Sequence, residues 1–298
     1  MASIRLGTVL KAVALHCELG RLSDRIYFAY FIYVFFVALL MRPGVAFRAA
    51  LIAIGTGCVM LVFHRLSERS FAWSVANDWL PLVYTFMAYR EMDLFTPALR
   101  DYHLELSWIV WDRILLDGWG LRAGIESLGA VVPGYLEFCY LLVYGTFIFS
   151  ISAFYRANRR ERIDHFITAY AVGTLLSYAL FPYFPSDPPR VVFPNLDQPA
   201  ITTALREFNL FLVGNYGIHS SVFPSAHVSS AFAAGWGLLW LLPEKPWVGR
   251  GMLIYSISVS IATIYGRYHY AVDALAGAVV GLAAFVPLLI SRRGAGRA

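Results

Sequence analysis

The chain has 298 residues, of which 59% are hydrophobic and only 14% charged, about half the roughly 25% charged content of ordinary globular proteins; a conventional water-soluble fold is not expected. Its 24 Lys and Arg against 19 Asp and Glu leave a net charge of +5, and these charges cluster between apolar stretches instead of forming a basic face or tail, which argues against nucleic-acid binding. Cys17, Cys58 and Cys139 are widely spaced, with no CxxC pair and no Cys/His cluster, so neither a disulfide framework nor a zinc site is expected.

A bilayer core about 30 Å thick takes roughly 20 residues of helix. Eight apolar stretches bounded by charge fit that length or approach it: 26–41, 46–63, 70–89, 131–155, 166–184, 228–242, 251–266 and 274–290. Flanking arginines such as Arg25, Arg42 and Arg65 can snorkel, and tilt absorbs part of the mismatch of the shorter ones. The first stretch follows a segment carrying Arg5, Lys11, Glu18, Arg21, Asp24 and Arg25, with no small-residue cleavage site behind it, the pattern of an anchor rather than a signal peptide. With the N-terminus inside, the inner segments hold 15 Lys and Arg and the outer segments 9. The positive-inside rule then predicts both termini in the cytoplasm, with the loops after the third, fifth and seventh stretches outside.

The long outer connection after the third stretch carries Trp108, Trp111, Leu115, Leu116 and Trp119 at near-helical spacing, with Asp112, Arg113 and Asp117 interleaved. That pattern reads as a helix at the membrane surface whose aromatics form an interfacial belt, with a substrate-gripping role as the alternative. Glu137, inside the fourth stretch, is either functional, as intramembrane carboxylates often are, or paired with Tyr or Trp donors between helices.

Three later segments carry chemistry. Six prolines between Phe181 and Pro199 rule out regular helix there, and Arg190 closes the densest part of the run. A guanidinium fork on a rigid turn suits a phosphate, although a solvated loop arginine fits the same spacing. Phe-Pro-Ser-Ala-His, residues 223–227, opens the sixth stretch. Ser225 as helix cap, the free N–H groups of the first turn and His227 beside them make an anion-binding end with a proton donor; His219 nearby is read as an ordinary polar residue. Gly-Arg-Tyr-His-Tyr-Ala-Val-Asp, residues 266–273, sits at the mouth of the eighth stretch. On a helix His269 and Asp273 share a face, where the carboxylate takes the Nδ1 proton and leaves Nε2 a basic nucleophile. The predicted topology puts Arg190, His227, Arg267, His269 and Asp273 on one side of the bilayer.

These three segments resemble the signature blocks of the type-2 phosphatidic acid phosphatase superfamily, Lys-x6-Arg-Pro, Pro-Ser-Gly-His and Ser-Arg-x5-His-x3-Asp. Pro224-Ser225-Ala226-His227 is similar to the second block, with Ala226 for Gly, and His269 with Asp273 to the end of the third. Around Arg190, Tyr183 stands in place of Lys and Val191 in place of Pro, while Ala262 and Thr263 take the Ser-Arg position. These departures resemble the inositol phosphorylceramide synthase and sphingomyelin synthase branch. Asn77-Asp78-Trp79-Leu80-Pro81, Trp111-Asp112-Arg113 and the tyrosine-rich fourth stretch resemble its bacterial members.

The resemblance implies an all-α, polytopic integral membrane bundle of about eight transmembrane helices around a six-helix phosphatase-like core. Residues 1–70 would form a cytoplasmic segment with two extra helices, and 71–298 the catalytic membrane domain. It implies metal-independent phosphotransfer without cofactor: His269 as nucleophile through a phosphohistidine, Asp273 orienting it, His227 as acid and base, and Arg190, Ser225 and Arg267 binding phosphate. The donor would be a phospholipid or other lipid phosphate and the acceptor a hydroxyl-bearing lipid or sugar, at the extracytoplasmic face of a bacterial plasma membrane. Hydrolysis by the same His/His/Asp set, making a lipid phosphatase, is the alternative, and a non-enzymatic transporter or scaffold the second.

Overall fold

The computed structural model describes residues 20–289, and among these every regular element is helical. Cys17, most of the basic N-terminal segment, the last residue of the eighth stretch and the basic residues after it lie outside the described residues.

All eight apolar stretches form helices. In chain order the long elements are α1 (Leu22–Met41), α2 (Ala46–Ser67) and α3 (Phe71–Glu91). The long connection after α3 holds α4 (His103–Arg113), extended by a π turn over Ile114–Gly118, and α5 (Leu121–Glu126). Then come α6 (Val131–Leu142) and α7 (Thr146–Arg156), joined through a 3₁₀ turn at Val143–Gly145 into one crossing, and α8 (Ile163–Leu180). After a single turn, α9 (Pro189–Val192), and the surface helix α10 (Ala204–Tyr216), the chain closes with α11 (Ala226–Leu241), α12 (Pro246–Tyr265) and α13 (Ala271–Gly281).

Among the described residues six crossings are long and apolar enough to span a membrane: Leu22–Met41, Pro43–Ser67, Val131–Arg156, Arg160–Tyr183, Pro246–Tyr265 and Ala271–Leu289. The protein is an integral membrane protein. The other two predicted stretches depart from the simple pattern for identifiable reasons. Helix α3 carries Asn77, Asp78, Arg90 and Glu91, and α11 has 16 residues, about 24 Å at 1.5 Å per residue. Ten residues of α11 are buried, because α8, α12 and α13 enclose it; a helix shielded from lipid on most sides need not match the bilayer by itself.

Small residues set how closely these helices approach. Lipid chains are as apolar as the helices, so association inside a bilayer depends on backbone proximity. A Cβ on Gly249 would stand 2.4 Å from the Leu239 backbone, and one on Gly173 2.5 Å from the Ala233 side chain. The seam that matters most for the site is Gly277 and Gly281 of α13, facing the carbonyls of Ser225 and Ser229 on α11.

At one end of the bundle charged side chains lock the helix starts together. Asp164, at the head of α8, accepts from the backbone N–H groups of Leu22 and Ser23, capping α1 from another element and allowing it to begin earlier than its apolar run. Asp78 of α3 pairs with Arg21 at 3.1 Å and Arg160 at 2.7 Å, and accepts the Tyr155 hydroxyl at 2.6 Å. The motif-bearing segments gather at the opposite end.

Candidate active site

The proline-rich segment is not helix-free, since α9 forms one turn with Pro189 at its start and Arg190 within it. That turn is tied to the last loop: the Arg190 backbone N–H donates to the Arg267 carbonyl at 3.2 Å, and Arg190 Nη1 to the Tyr268 carbonyl at 3.4 Å. The guanidinium also lies 5.6 Å from the centre of the Tyr268 ring, within cation–π range.

Ser225 caps α11, its Oγ accepting from the Val228 N–H, and its own N–H donates to the Asp273 carbonyl at 3.0 Å. The second and third motif segments are therefore joined by backbone. His227 follows in the first turn, its ring held between Tyr140, stacked at 5.1 Å, and Tyr144, edge-on at 5.6 Å. The His269 ring stands 5.7 Å from that of His227.

His269 and Asp273 make the expected contact, but by a different route from a shared helix face. His269 lies before α13, whose cap is Tyr270. Asp273, in the first turn, reaches back so that Oδ2 meets His269 Nδ1 at 3.3 Å and accepts the Tyr270 N–H at 2.9 Å. One carboxylate both caps the helix and orients the imidazole. With Nδ1 engaged in this way Nε2 is the remaining ring nitrogen, and the ring also has the Val222 backbone as a hydrogen-bond neighbour. Burial, with smaller contributions from His227 and Arg190, holds the His269 pKa well below the usual 6.5, so the ring is neutral at physiological pH.

The two histidines, Arg190 and Tyr268 line a cavity of about 620 Å³. It reaches Tyr170 and Thr174 of α8, and Tyr170 lies ten residues, roughly 15 Å, before the last residue of that helix. Val83, Phe86 and Tyr144, all exposed, form part of its rim, so the cavity opens sideways at bilayer depth as well as meeting the polar loops.

Arg267 is placed differently from Arg190. It is fully buried, in a left-handed backbone conformation, and its Nη1 meets Asp112 of α4 at 2.6 Å. It does not line the cavity, and its Nε and Nη2 have no hydrogen-bond partner among the described residues. His219 is exposed, its N–H donating to Asp93 and its carbonyl accepting from Arg100. Cys58 and Cys139 are free thiols. Among the described residues no cluster of three or more His, Cys, Asp or Glu side chains is arranged to hold a metal ion.

Glu137 resolves as a paired residue, though its partners are not the tryptophans. It meets Arg206 Nη1 at 3.0 Å and accepts from the Tyr268 hydroxyl at 2.6 Å and Asn209 Nδ2 at 2.8 Å. Because Tyr268 carries Arg190 on its ring and on its carbonyl, this network stands behind the arginine. Sequence reasoning missed it: Arg206 and Asn209 sit in a surface helix with no motif, and their contact with Glu137 spans 69 and 72 residues of chain. Glu137→Leu leaves the Arg206 charge buried alone and is expected to cost about 3–5 kcal/mol, read as a lower unfolding temperature in detergent. Gly277→Ala acts by another route, since the new Cβ would stand 2.5 Å from the Ser225 carbonyl. It is expected to lower activity through displacement of the α11 start, by about 10-fold or more, while the protein stays folded by size-exclusion chromatography.

The fold and this cluster define a polytopic helical membrane protein with a two-histidine, one-aspartate site at one end of its bundle. The chain belongs to the PAP2 superfamily, whose family model matches residues 128–287, more than half of its length and including all six predicted site residues. A PA-phosphatase related-family protein of Dictyostelium discoideum is 30% identical over 130 residues, covering 39% of this chain and 21% of that relative. This chain thus spans about a fifth of the relative it matches. No solved structure gives a significant match.

Proposed function

We propose that this protein is a lipid phosphotransferase that moves a phosphate-containing head group from a lipid donor to a hydroxyl acceptor. The observation that carries the reading is the convergence of His269, its Asp273 partner, His227 and Arg190 at the head of a laterally open, membrane-depth cavity. The tails of an amphiphile can remain among apolar side chains while its phosphate meets the polar loops.

In the proposed reaction the Nε2 lone pair of His269 attacks phosphorus and the bond to the leaving oxygen breaks, with His227 giving that oxygen a proton. The acceptor hydroxyl then gives its proton to His227 and its oxygen attacks phosphorus, the P–N bond breaks and His269 recovers its lone pair. Arg190 and the first-turn amides capped by Ser225 stabilise the equatorial oxygens, where most catalysis of phosphoryl transfer resides. Arg267 acts from behind the cavity lining, where its carbonyl accepts the Arg190 N–H and so helps hold the Arg190 guanidinium at the phosphate. Negative phosphate between Arg190 and the two rings favours the protonated form of His227.

Transfer rather than hydrolysis is favoured by the departures around Arg190 and at Ala262-Thr263, which resemble the inositol phosphorylceramide and sphingomyelin synthase branch. The excess of Lys and Arg in the inner segments supports cytoplasmic termini and an extracytoplasmic site. The test is turnover of labelled glycerophospholipids and lipid monophosphates in liposomes, with every labelled product identified. Label on a second lipid or on an added alcohol supports transfer. Free phosphate formed rapidly without an acceptor makes the protein a hydrolase, and no turnover of either donor class favours a transporter or scaffold.

A further inference from the structure

Helix α4 lies over the site, and its two faces differ sharply. Leu106, Val110 and Trp111 are exposed, while Glu105, Ile109 and Asp112 are at most 4% exposed. A helix that merely floated at the interface would turn apolar residues inward and keep carboxylates out. Here two carboxylates and a tryptophan, at positions 105, 108 and 112, fall on the inward side, where i, i+3 and i+7 share a face.

Each of the three holds a different motif segment. Glu105 Oε1 accepts the backbone N–H of Asp187 at 2.8 Å, three residues before Arg190. The Trp108 ring stacks on Phe223 at 5.2 Å, directly before Pro224-Ser225, and meets Tyr270 edge-on at 5.6 Å. Asp112 uses both oxygens on the last loop, Oδ2 meeting Arg267 Nη1 at 2.6 Å and Oδ1 accepting the Ala271 N–H at 2.7 Å. A single carboxylate grips the chain two residues before and two residues after His269. None of Glu105, Trp108 and Asp112 lines the cavity.

Burying the Asp112–Arg267 pair costs desolvation that an apolar pair of similar volume would avoid. What the carboxylate supplies instead is direction, because one oxygen holds the Arg267 guanidinium and the other the Ala271 backbone N–H, on either side of one imidazole. We infer that α4 is a clamp that holds the three motif segments in mutual register, with Asp112 the positioning residue for His269. The inference rests on the phosphotransfer reading, in which His269 is the attacking group. Asp112 acts on the geometry of attack and not on the fit of the donor.

The test compares Asp112→Asn, Trp108→Leu and Glu126→Gln with wild type and His269→Ala, in full-length protein in detergent micelles with a labelled lipid donor. Glu126 is the control: its Oε1 accepts the Ala200 N–H at 2.9 Å and the Tyr265 hydroxyl at 3.0 Å, and neither partner is one of the six predicted site residues or lines the cavity. Asp112→Asn is expected to lower kcat about 10²-fold, the loss that a misplacement of about 1 Å brings, with KM within about threefold, and Trp108→Leu about 10-fold in the same sense. Glu126→Gln, which leaves no buried charge unpaired, should lower the unfolding temperature less and leave kcat within about twofold. Inactive His269→Ala beside wild-type kcat in both α4 variants would overturn the clamp and leave the phosphotransfer reading standing. So would equal kcat losses in Glu126→Gln and Asp112→Asn, which mark a structural role alone. Full turnover by His269→Ala would overturn the phosphotransfer reading, and the clamp with it. If Asp112→Asn does not fold, Trp108→Leu, which buries no lone charge, decides on the same kcat and KM criteria.

Discussion

His269→Ala is expected to abolish turnover of any lipid donor, by on the order of 10⁴-fold or more, because a reaction divided into two steps by a covalent intermediate loses both when the nucleophile goes. Its folding should be little affected, since the backbone bonds of this loop, from the Tyr268 and His269 N–H groups to the Thr263 carbonyl, do not involve the imidazole. The loss should be accompanied by loss of a phosphorylated enzyme species. Wild type quenched during turnover is expected to carry label that survives alkali and is released by acid, the behaviour of a phosphoramidate, and the variant none. Alkali-labile label would place the covalent bond on a carboxylate or a hydroxyl instead. The pH profile supplies a second check. A nucleophile is lost when protonated, and the His269 pKa lies well below 6.5 because its ring is buried near His227 and Arg190. The acid limb of kcat/KM should therefore fall below the usual imidazole range, with activity persisting as pH is lowered through 6.5; a limb centred at 6.5 or above would contradict this assignment.

The second large effect concerns His227 and depends on the leaving group. A general acid contributes about 10²–10⁴-fold where the departing oxygen is a poor leaving group. His227→Ala is expected to lose that factor on a lipid donor whose leaving oxygen is an alkoxide. On an activated aryl phosphate ester, which departs without a proton, the first step should be nearly unimpaired and the label should accumulate on the enzyme, since deprotonation of the acceptor still needs the missing base. A uniform loss on both donors would make His227 a binding residue. Its place beside Tyr140 makes the comparison interpretable, because truncation leaves Tyr140 supported on Tyr268, on which it stacks at 3.8 Å.

The helical class and the eight apolar stretches were legible in the sequence because a bilayer imposes a length and a composition on any segment that crosses it. The site segments were legible for a similar reason: prolines, a serine cap and a histidine four residues before an aspartate are local patterns with local consequences. The route by which His269 meets Asp273 was less accessible, because spacing of four fits both a shared helix face and a first-turn residue reaching back over its cap. Trp108 read as one of several belt aromatics, whereas Trp111 and Trp119 are the exposed ones and Trp108 packs inward. The Asp112–Arg267 pair joins residues 155 positions apart. Its only local trace was a carboxylate interleaved among tryptophans, which a solvated face produces equally well.

The sideways opening of the cavity bears on how this protein would meet its substrates. An amphiphile that arrives between Val83, Phe86 and Tyr144 does so by lateral diffusion within the leaflet, and the quantity that governs encounter is its mole fraction among the surrounding lipids. On the proposed reading, diluting the donor with inert phospholipid at fixed total donor in the suspension slows the reaction, and adding more vesicles of the same composition does not relieve it. Saturation is then a property of the membrane surface, and a KM expressed per litre has meaning only beside the composition of the bilayer in which it was measured.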